Sequence, residues 1–150
     1  MADDLIDRWA AGLLSSTRPR ARRRLASTIA KALRTSQQQR IAQQINADGS
    51  AYAPRKPQKV RAKKGRIKRG AMFKKLRSSQ FLRITADANQ ASVEFKGAAA
   101  RIAQIHQDGL VDRVRPKGPL AQYPKRQLLG FTAEDRDMIQ QLVLTSITHS

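Results

Sequence analysis

The chain has 150 residues and no cysteine, and its 30 Lys and Arg against 11 Asp and Glu give a formal net charge of +19. The length fits one domain, and the missing cysteines exclude disulfides and thiolate metal sites. No apolar run approaches the roughly 20 residues of a membrane span, and the start is acidic rather than a basic secretory signal. We therefore expect synthesis in a cytoplasm and no membrane partner.

Residues 3–14 predict a short amphipathic helix with three aspartates at its positive end. Its apolar residues recur at spacings of three and four and are Leu5, Ile6, Trp9, Leu13 and Leu14. A single Trp on such a face is typically a core or interface anchor. We therefore take Trp9, Leu13 and Leu14 as a candidate assembly interface.

A long helix is predicted from Pro19 to about Ile45, because Pro suits the first helical turn. An apolar residue occupies every fourth position except where Gln37 interrupts, and the set is Leu25, Ile29, Leu33, Ile41 and Ile45. The opposite face is almost wholly Arg, Lys and Gln. Residues 46–50, rich in Asn, Asp and Gly, end this helix.

Residues 51–70 scatter Pro and Gly among cations without apolar periodicity, which indicates an extended or mobile arm. Residues 71–77 then predict about two helical turns, with Met72, Phe73 and Leu76 facing inward.

The second half changes to a two-residue period. Alternation over 81–86 and 91–96, joined by an Asp/Asn-containing loop, predicts a β-hairpin. The next predicted element is a helix over 98–107, which Gly109 closes. After it we predict a strand within 110–115, a turn at 116–119 and an extended stretch over 123–131.

The last helix is the clearest element of the sequence. Thr132 and Asp135 have capping-box spacing, and Glu134 and Asp137 complement the helix dipole. Its apolar stripe comprises Met138, Ile139, Leu142, Val143 and Ile147. We expect the hairpin and this helix to form the core, built from the two ends of the chain while the middle wraps around it or projects.

These elements predict an α+β fold, with N-terminal helices, an extended basic arm, a small antiparallel sheet and a C-terminal helix packed on that sheet. We expect a single domain over residues 1–150, comprising a helical part (1–45), a basic arm (46–70) and an α+β core (71–150).

The whole net charge lies in residues 18–77, which hold 20 cations and one carboxylate, Asp48. Such a field attracts polyanions, and either nucleic-acid phosphates or an acidic protein surface would serve. Any DNA contact is expected to be independent of sequence, since no base-reading motif is present. The candidate contact residues are the cations of the arm: Arg55, Lys56, Lys59, Arg61, Lys63, Lys64, Arg66, Lys68 and Arg69.

We find no pattern for catalysis, cofactor binding or metal binding. His106 lies among apolar residues and is interpreted as a packed histidine, although Ser92, His106 and Asp108 would supply the residue types of a hydrolytic triad. Gly-rich phosphate loops and calcium loops are missing. The enzymatic alternative is a nuclease with an unrecognised site.

Several stretches, in order, resemble the phage virion morphogenesis family, the tail completion proteins of contractile-tailed temperate phages. They are residues 26–40, 46–56, 71–77, 105–110, 123–130 and the closing helix. The resemblance covers nearly the whole chain, and from the hairpin onward it extends to head–tail joining components.

The resemblance implies a non-enzymatic virion protein that finishes the head-proximal end of the tail or joins it to the head. Such proteins form rings, commonly of six or twelve copies, around the DNA channel. Its implied partners are further copies of itself, tail terminator, tube or head connector proteins, and genomic DNA in the channel. The alternative from charge alone is a sequence-independent, architectural DNA-binding protein.

Overall fold

The structure, a computed structural model, describes residues 2–15, 17–56 and 70–149. The elements are α1 (Ala2–Ser15), α2 (Pro19–Ala42), β1 (Leu82–Ala86), β2 (Ala91–Phe95), α3 (Ala98–Asp108), β3 (Val111–Arg113), β4 (Leu120–Gln122) and α4 (Ala133–Thr148). Two-stranded sheets pair β1 with β2 and β3 with β4, which confirms the predicted α+β class. No helix in the described ranges is long and apolar enough to cross a membrane.

The chain divides into two compact units, each assembled from separate stretches. The terminal unit comprises Met1–Ser36, Leu82–Glu94 and Phe131–Ser150, and the central unit comprises Gln37–Phe81 and Phe95–Gly130. The predicted single domain, with its boundaries at 45 and 70, stays a prediction.

In the terminal unit, α1 contacts α4, and the predicted capping box opens α4. Thr132 Oγ1 accepts from the backbone N–H of Asp135, whose carboxylate accepts from Thr132 N. Asp135 is buried and also accepts from the Ser36 hydroxyl. An Asp at the third helical position therefore completes the box that Glu more commonly completes.

Helix α2 begins at Pro19 as predicted but ends at Ala42, three residues before Ile45. Gln44 adopts a left-handed backbone (φ 60°), and Ile45 pairs with Ala51 in an isolated antiparallel bridge. The turn between them is closed by the Asn46 N–H, which donates to Ser50 O at 2.7 Å. Early termination thus converts the end of the predicted helix into a short closed loop.

The core of the central unit differs from the predicted one. Its buried cluster is Ile41, Tyr52, Ala103 and Leu128, and Met72, Phe73, Leu76 and Phe95 pack against it. The prediction that the first hairpin and α4 form the core was therefore wrong for this cluster. The middle of the chain supplies several residues of this cluster, because apolar side chains from the irregular segments after α2 pack together with Ala103 of α3.

Residues 72–77 form successive turns rather than the predicted helix. Phe73 has φ 67°, a left-handed conformation that interrupts regular helical hydrogen bonding and is strained for a bulky residue. The predicted inward orientation is confirmed, since Met72, Phe73 and Leu76 all pack against the central cluster.

Strands β3 and β4 pair antiparallel, with Asp112 opposite Ala121. The strand predicted within 110–115 is confirmed, whereas β4 was not predicted because its three residues follow directly on a turn. Gly109 caps α3 in the left-handed conformation (φ 65°), and a Cβ there would meet the Lys125 backbone nitrogen at 3.2 Å. Residues 123–131 contain no helix or strand.

Arg40 holds this irregular stretch from the end of α2. Although it belongs to the predicted cationic face, it is only 4% exposed. Its guanidinium donates to the carbonyls of Ile45, Gln127 and Leu128 at 2.7–3.0 Å and to Gln37 Oε1 at 2.8 Å. Gln37, which interrupted the apolar stripe, is likewise buried and accepts from Gly130 N at 3.1 Å.

Candidate functional site

An open groove of about 1050 Å³ lies within the central unit. One wall is formed by residues 54–56 and 71–76, and the other by α3, β4 and residues 123–126. Apolar side chains and rings dominate its described lining, which includes Pro54, Met72, Phe73, Leu76, Ile102, Val114, Ala121, Tyr123 and Pro124. A groove of this size exceeds most small-molecule pockets. It suits a peptide segment, or one large side chain together with its neighbouring residues.

Arg126 fixes the walls of the groove. It is 4% exposed, and its guanidinium donates to Ala53 O at 2.7 Å and to Pro54 O at 3.1 Å. Burial first, and the nearby Arg55 charge second, lower its pKa. The guanidinium therefore joins residues 53 and 54 of the basic arm to the chain after β4.

The wall formed by residues 71–76 is held by Gln44, which sits just beyond α2. Its side-chain amide donates to Met72 O at 3.0 Å and accepts from Met72 N at 2.8 Å. One side chain thus satisfies both backbone groups of Met72, as a neighbouring β-strand would.

Four rings pack in a row, and three of them, Phe73, His106 and Tyr123, line the groove. Tyr52 meets Phe73 at 5.8 Å between centroids, Phe73 meets His106 at 4.7 Å, and His106 meets Tyr123 at 5.1 Å, all edge to face. This geometry is the favourable one for aromatic pairs. The row gives the floor a rigid apolar surface.

His106 is a structural member of that row. Its Nδ1 lies 3.2 Å from the Arg126 Nη1, and because a guanidinium only donates, the imidazole is neutral and accepts through Nδ1. Burial first, and the Arg126 charge second, lower its pKa from 6.5 to about 4. A triad base needs a carboxylate at Nδ1, and here a guanidinium occupies that position.

The rim of the groove is cationic. Arg55, Lys56, Lys74 and Lys75 are exposed lining residues, and no described lining residue carries a carboxylate. Within the described ranges, no group of three or more His, Cys, Asp or Glu is placed to hold a metal ion. The arrangement suits a ligand that combines apolar surface with negative charge.

The predicted contact residues are placed in part. Arg55 and Lys56 lie on the rim, and Arg55 donates to Gly70 O at 3.1 Å. The remaining predicted cations lie outside the described residues: Lys59, Arg61, Lys63, Lys64, Arg66, Lys68 and Arg69. Their role stays a prediction.

The predicted assembly interface lies on α1, in the terminal unit. Trp9 is 57% exposed and is therefore not a core residue, whereas the side chains of Leu13 and Leu14 lie outside the described part of the chain. Whether this face contacts a neighbour stays a prediction.

Sequence reasoning missed the groove itself. Its lining joins Phe73, His106 and Tyr123 from three separated stretches, with Tyr52 behind Phe73, and no spacing in the sequence relates them. The only available signal was that Tyr52 and Tyr123 each stand close to a proline, in segments that otherwise looked extended.

The fold and the groove together define a small α+β protein with an apolar, cationic-rimmed binding surface. A sequence model of the phage virion morphogenesis family matches residues 2–148, and the chain belongs to this family. It is 49% identical over 137 residues to a protein named "Tail completion protein S" from Escherichia phage P2, covering 91% of each chain. No solved structure gives a significant match.

Proposed function

We propose that this chain is a structural virion protein that completes the head-proximal end of a phage tail and helps to join the tail to the head. The observation that carries the proposal is the 49% identity to a tail completion protein over 91% of both chains. We further propose that it acts in the tail neck as a ring, of six or twelve copies, around the DNA channel.

The distribution of charge supports a position beside a polyanion. Helix α2 contains seven cations and no carboxylate, and Arg20, Arg24 and Lys31 are exposed. Ion pairs of the described residues include Arg8–Asp4 and Arg101–Asp112, both of which lie outside α2. Unscreened repulsion of this kind destabilises a compact state, and an anion from outside the chain would relieve it.

Two surfaces serve two partners in this proposal. The arm cations, from Arg55 to Arg69, contact DNA phosphates in the channel without reading sequence. Trp9, Leu13 and Leu14 of α1 contact a further copy, a tail terminator or tube protein, or a head connector. Tryptophan is enriched among the residues that dominate binding energy.

The decisive experiment is rescue of tails that lack this protein. Purified chain is added to lysates with separate heads and unfinished tails, and joined particles are counted by electron microscopy and plaque titre. Joined particles that contain the chain at the neck support the proposal. A chain that binds duplex DNA tightly but neither enters particles nor restores titre would instead identify the architectural DNA-binding alternative.

A charge-matched pair of variants tests the arm. Lys59, Lys63, Lys64 and Arg66 are changed to Gln in one protein, and the exposed Arg83, Arg115, Lys117 and Lys125 are changed to Gln in its control. Removing four phosphate contacts lowers the slope of log K against log salt by about 3.6, and we expect rescue to fall only for the arm variant. Equal rescue by both proteins would contradict the proposed contact between the arm and DNA.

A further inference from the structure

An exposed aromatic side chain precedes α4 without an evident structural role. Phe131 is 60% exposed and stands immediately before the N-cap Thr132. A hydrophobic residue at this position commonly packs on the fourth helical residue, which here is Arg136 rather than an apolar partner. Phe131 therefore leaves most of its ring exposed to solvent.

Two exposed carboxylates accompany that ring. Glu134 and Asp137 lie three and six residues after Phe131, on the first turns of α4, and both are exposed. Asp135, between them, is buried in the capping box and does not contribute to the surface. We call the set Phe131, Glu134 and Asp137 the acidic aromatic knob.

The groove of the central unit has the complementary chemistry. Its lining includes the rings of Phe73 and Tyr123 and the apolar side chains of Met72 and Ile102, and its rim carries four exposed cations. An aromatic ring inserted edge to face would extend the existing row. Carboxylates beside the ring would meet the rim, where no described lining residue supplies a competing negative charge.

We propose that the groove of one copy receives the acidic aromatic knob of a second copy. Phe131 is 60% exposed in its own chain, so most of its ring is available to a second molecule. Because knob and groove are different surfaces of one chain, the contact is heterologous, and repetition produces a ring when the rotation closes. The inference rests on the proposed ring and specifies how its subunits meet.

The contact is weak in an isolated pair. One phenylalanine buries about 150–250 Å², well below the roughly 800 Å² per partner of a standard stable interface. Dilute protein is therefore expected to be monomeric, and ring closure supplies the additional contacts. A covalent trap suits such a contact better than an affinity measurement does.

Because the sequence contains no cysteine, introduced cysteines provide the only thiols for disulfide trapping. Two single-cysteine proteins, Glu134→Cys and Lys74→Cys, carry different affinity tags and are mixed under mild oxidation. Docking brings the thiol of one molecule close to the thiol of the other. We therefore expect the mixed disulfide to form at least about tenfold faster than by random collision. The collision control pairs Lys74→Cys with Gln140→Cys, which lies at another exposed position of α4.

A second change separates docking from simple proximity. Phe131→Ala in the Glu134→Cys protein should lower the cross-linking rate to that of the control pair, whereas Phe131→Leu should retain most of it. Phe131 is largely exposed, so neither variant should impair folding, which circular dichroism checks. Equal rates for the Glu134 and Gln140 pairs, or a rate unchanged by Phe131→Ala, would overturn the proposal.

Rescue of unfinished tails distinguishes the two levels of inference. If wild-type chain restores joined particles and Phe131→Ala does so equally well, the knob contact fails while the proposed function stands. If the cysteine pair cross-links specifically but wild-type chain never enters particles, the copy-to-copy contact stands and the proposed function fails.

Discussion

Cations of one chain meet opposite environments in its two units. In the terminal unit, Arg20, Arg24 and Lys31 project from α2 into solvent, whereas in the central unit Arg40 and Arg126 are each only 4% exposed. The buried pair is satisfied largely by backbone carbonyls rather than by carboxylates. The basic side chains therefore differ in role: the buried guanidiniums hold irregular backbone together, whereas the exposed cations of α2 present positive charge at the surface.

Replacing Arg40 should produce the largest loss of stability. Arg40→Met leaves three carbonyls and Gln37 without their donor, and unsatisfied buried groups cost about 1–3 kcal/mol each without adding fully. We expect the free energy of unfolding in urea to fall by about 3–5 kcal/mol. The exposed Lys31→Met on the same helix should change the free energy of unfolding by less than about 0.5 kcal/mol. Similar losses for both variants would contradict the structural role of the buried Arg40.

Arg126→Met should cost less, because two carbonyls and one imidazole lose their donor. The expected decrease in the free energy of unfolding is about 2–4 kcal/mol. Its neighbour Lys125 is exposed, so Lys125→Met is the matched control and should leave urea unfolding nearly unchanged. A small effect of Arg126→Met would mean that water replaces the guanidinium easily.

His106 makes the central unit sensitive to acid. Its folded pKa of about 4 is below the ordinary 6.5, so between these values the unfolded chain binds a proton that the folded chain does not. Stability therefore falls as pH falls through this window, by up to about 1.4 kcal/mol per pH unit. Urea unfolding between pH 5 and 6.5 should show this slope in the parent and a flatter one in His106→Asn, and parallel slopes would contradict the assignment.

The smallest effect concerns the exposed cations. Arg20 lies in the first turn of α2, which contains no acidic residue, so its charge opposes the helix dipole. Arg20→Glu should raise the free energy of unfolding by about 0.3–1 kcal/mol at low salt, and Arg34→Glu, in mid-helix, should raise it less. Destabilisation by Arg20→Glu would show that this arginine supports the fold rather than an external contact.

The sequence by itself determined the elements whose signals are local. Pro19 opening α2, the Thr132–Asp135 box opening α4, Gly109 ending α3 and the first hairpin all depend on neighbours a few residues apart. The concentration of charge was also visible, since it needs no geometry. The family resemblance added the class of protein, and the family match confirmed it.

Only the tertiary structure decided which cations are buried and where the groove lies. Arg40 has the same chemistry as Arg24, and what distinguishes them is a set of carbonyls some 87 residues away along the chain at Gln127. The aromatic row likewise joins Tyr52, Phe73 and Tyr123 across loops without a period. Burial of a guanidinium depends on acceptors supplied by distant backbone, and irregular backbone leaves no repeating pattern in the sequence from which those acceptors can be read.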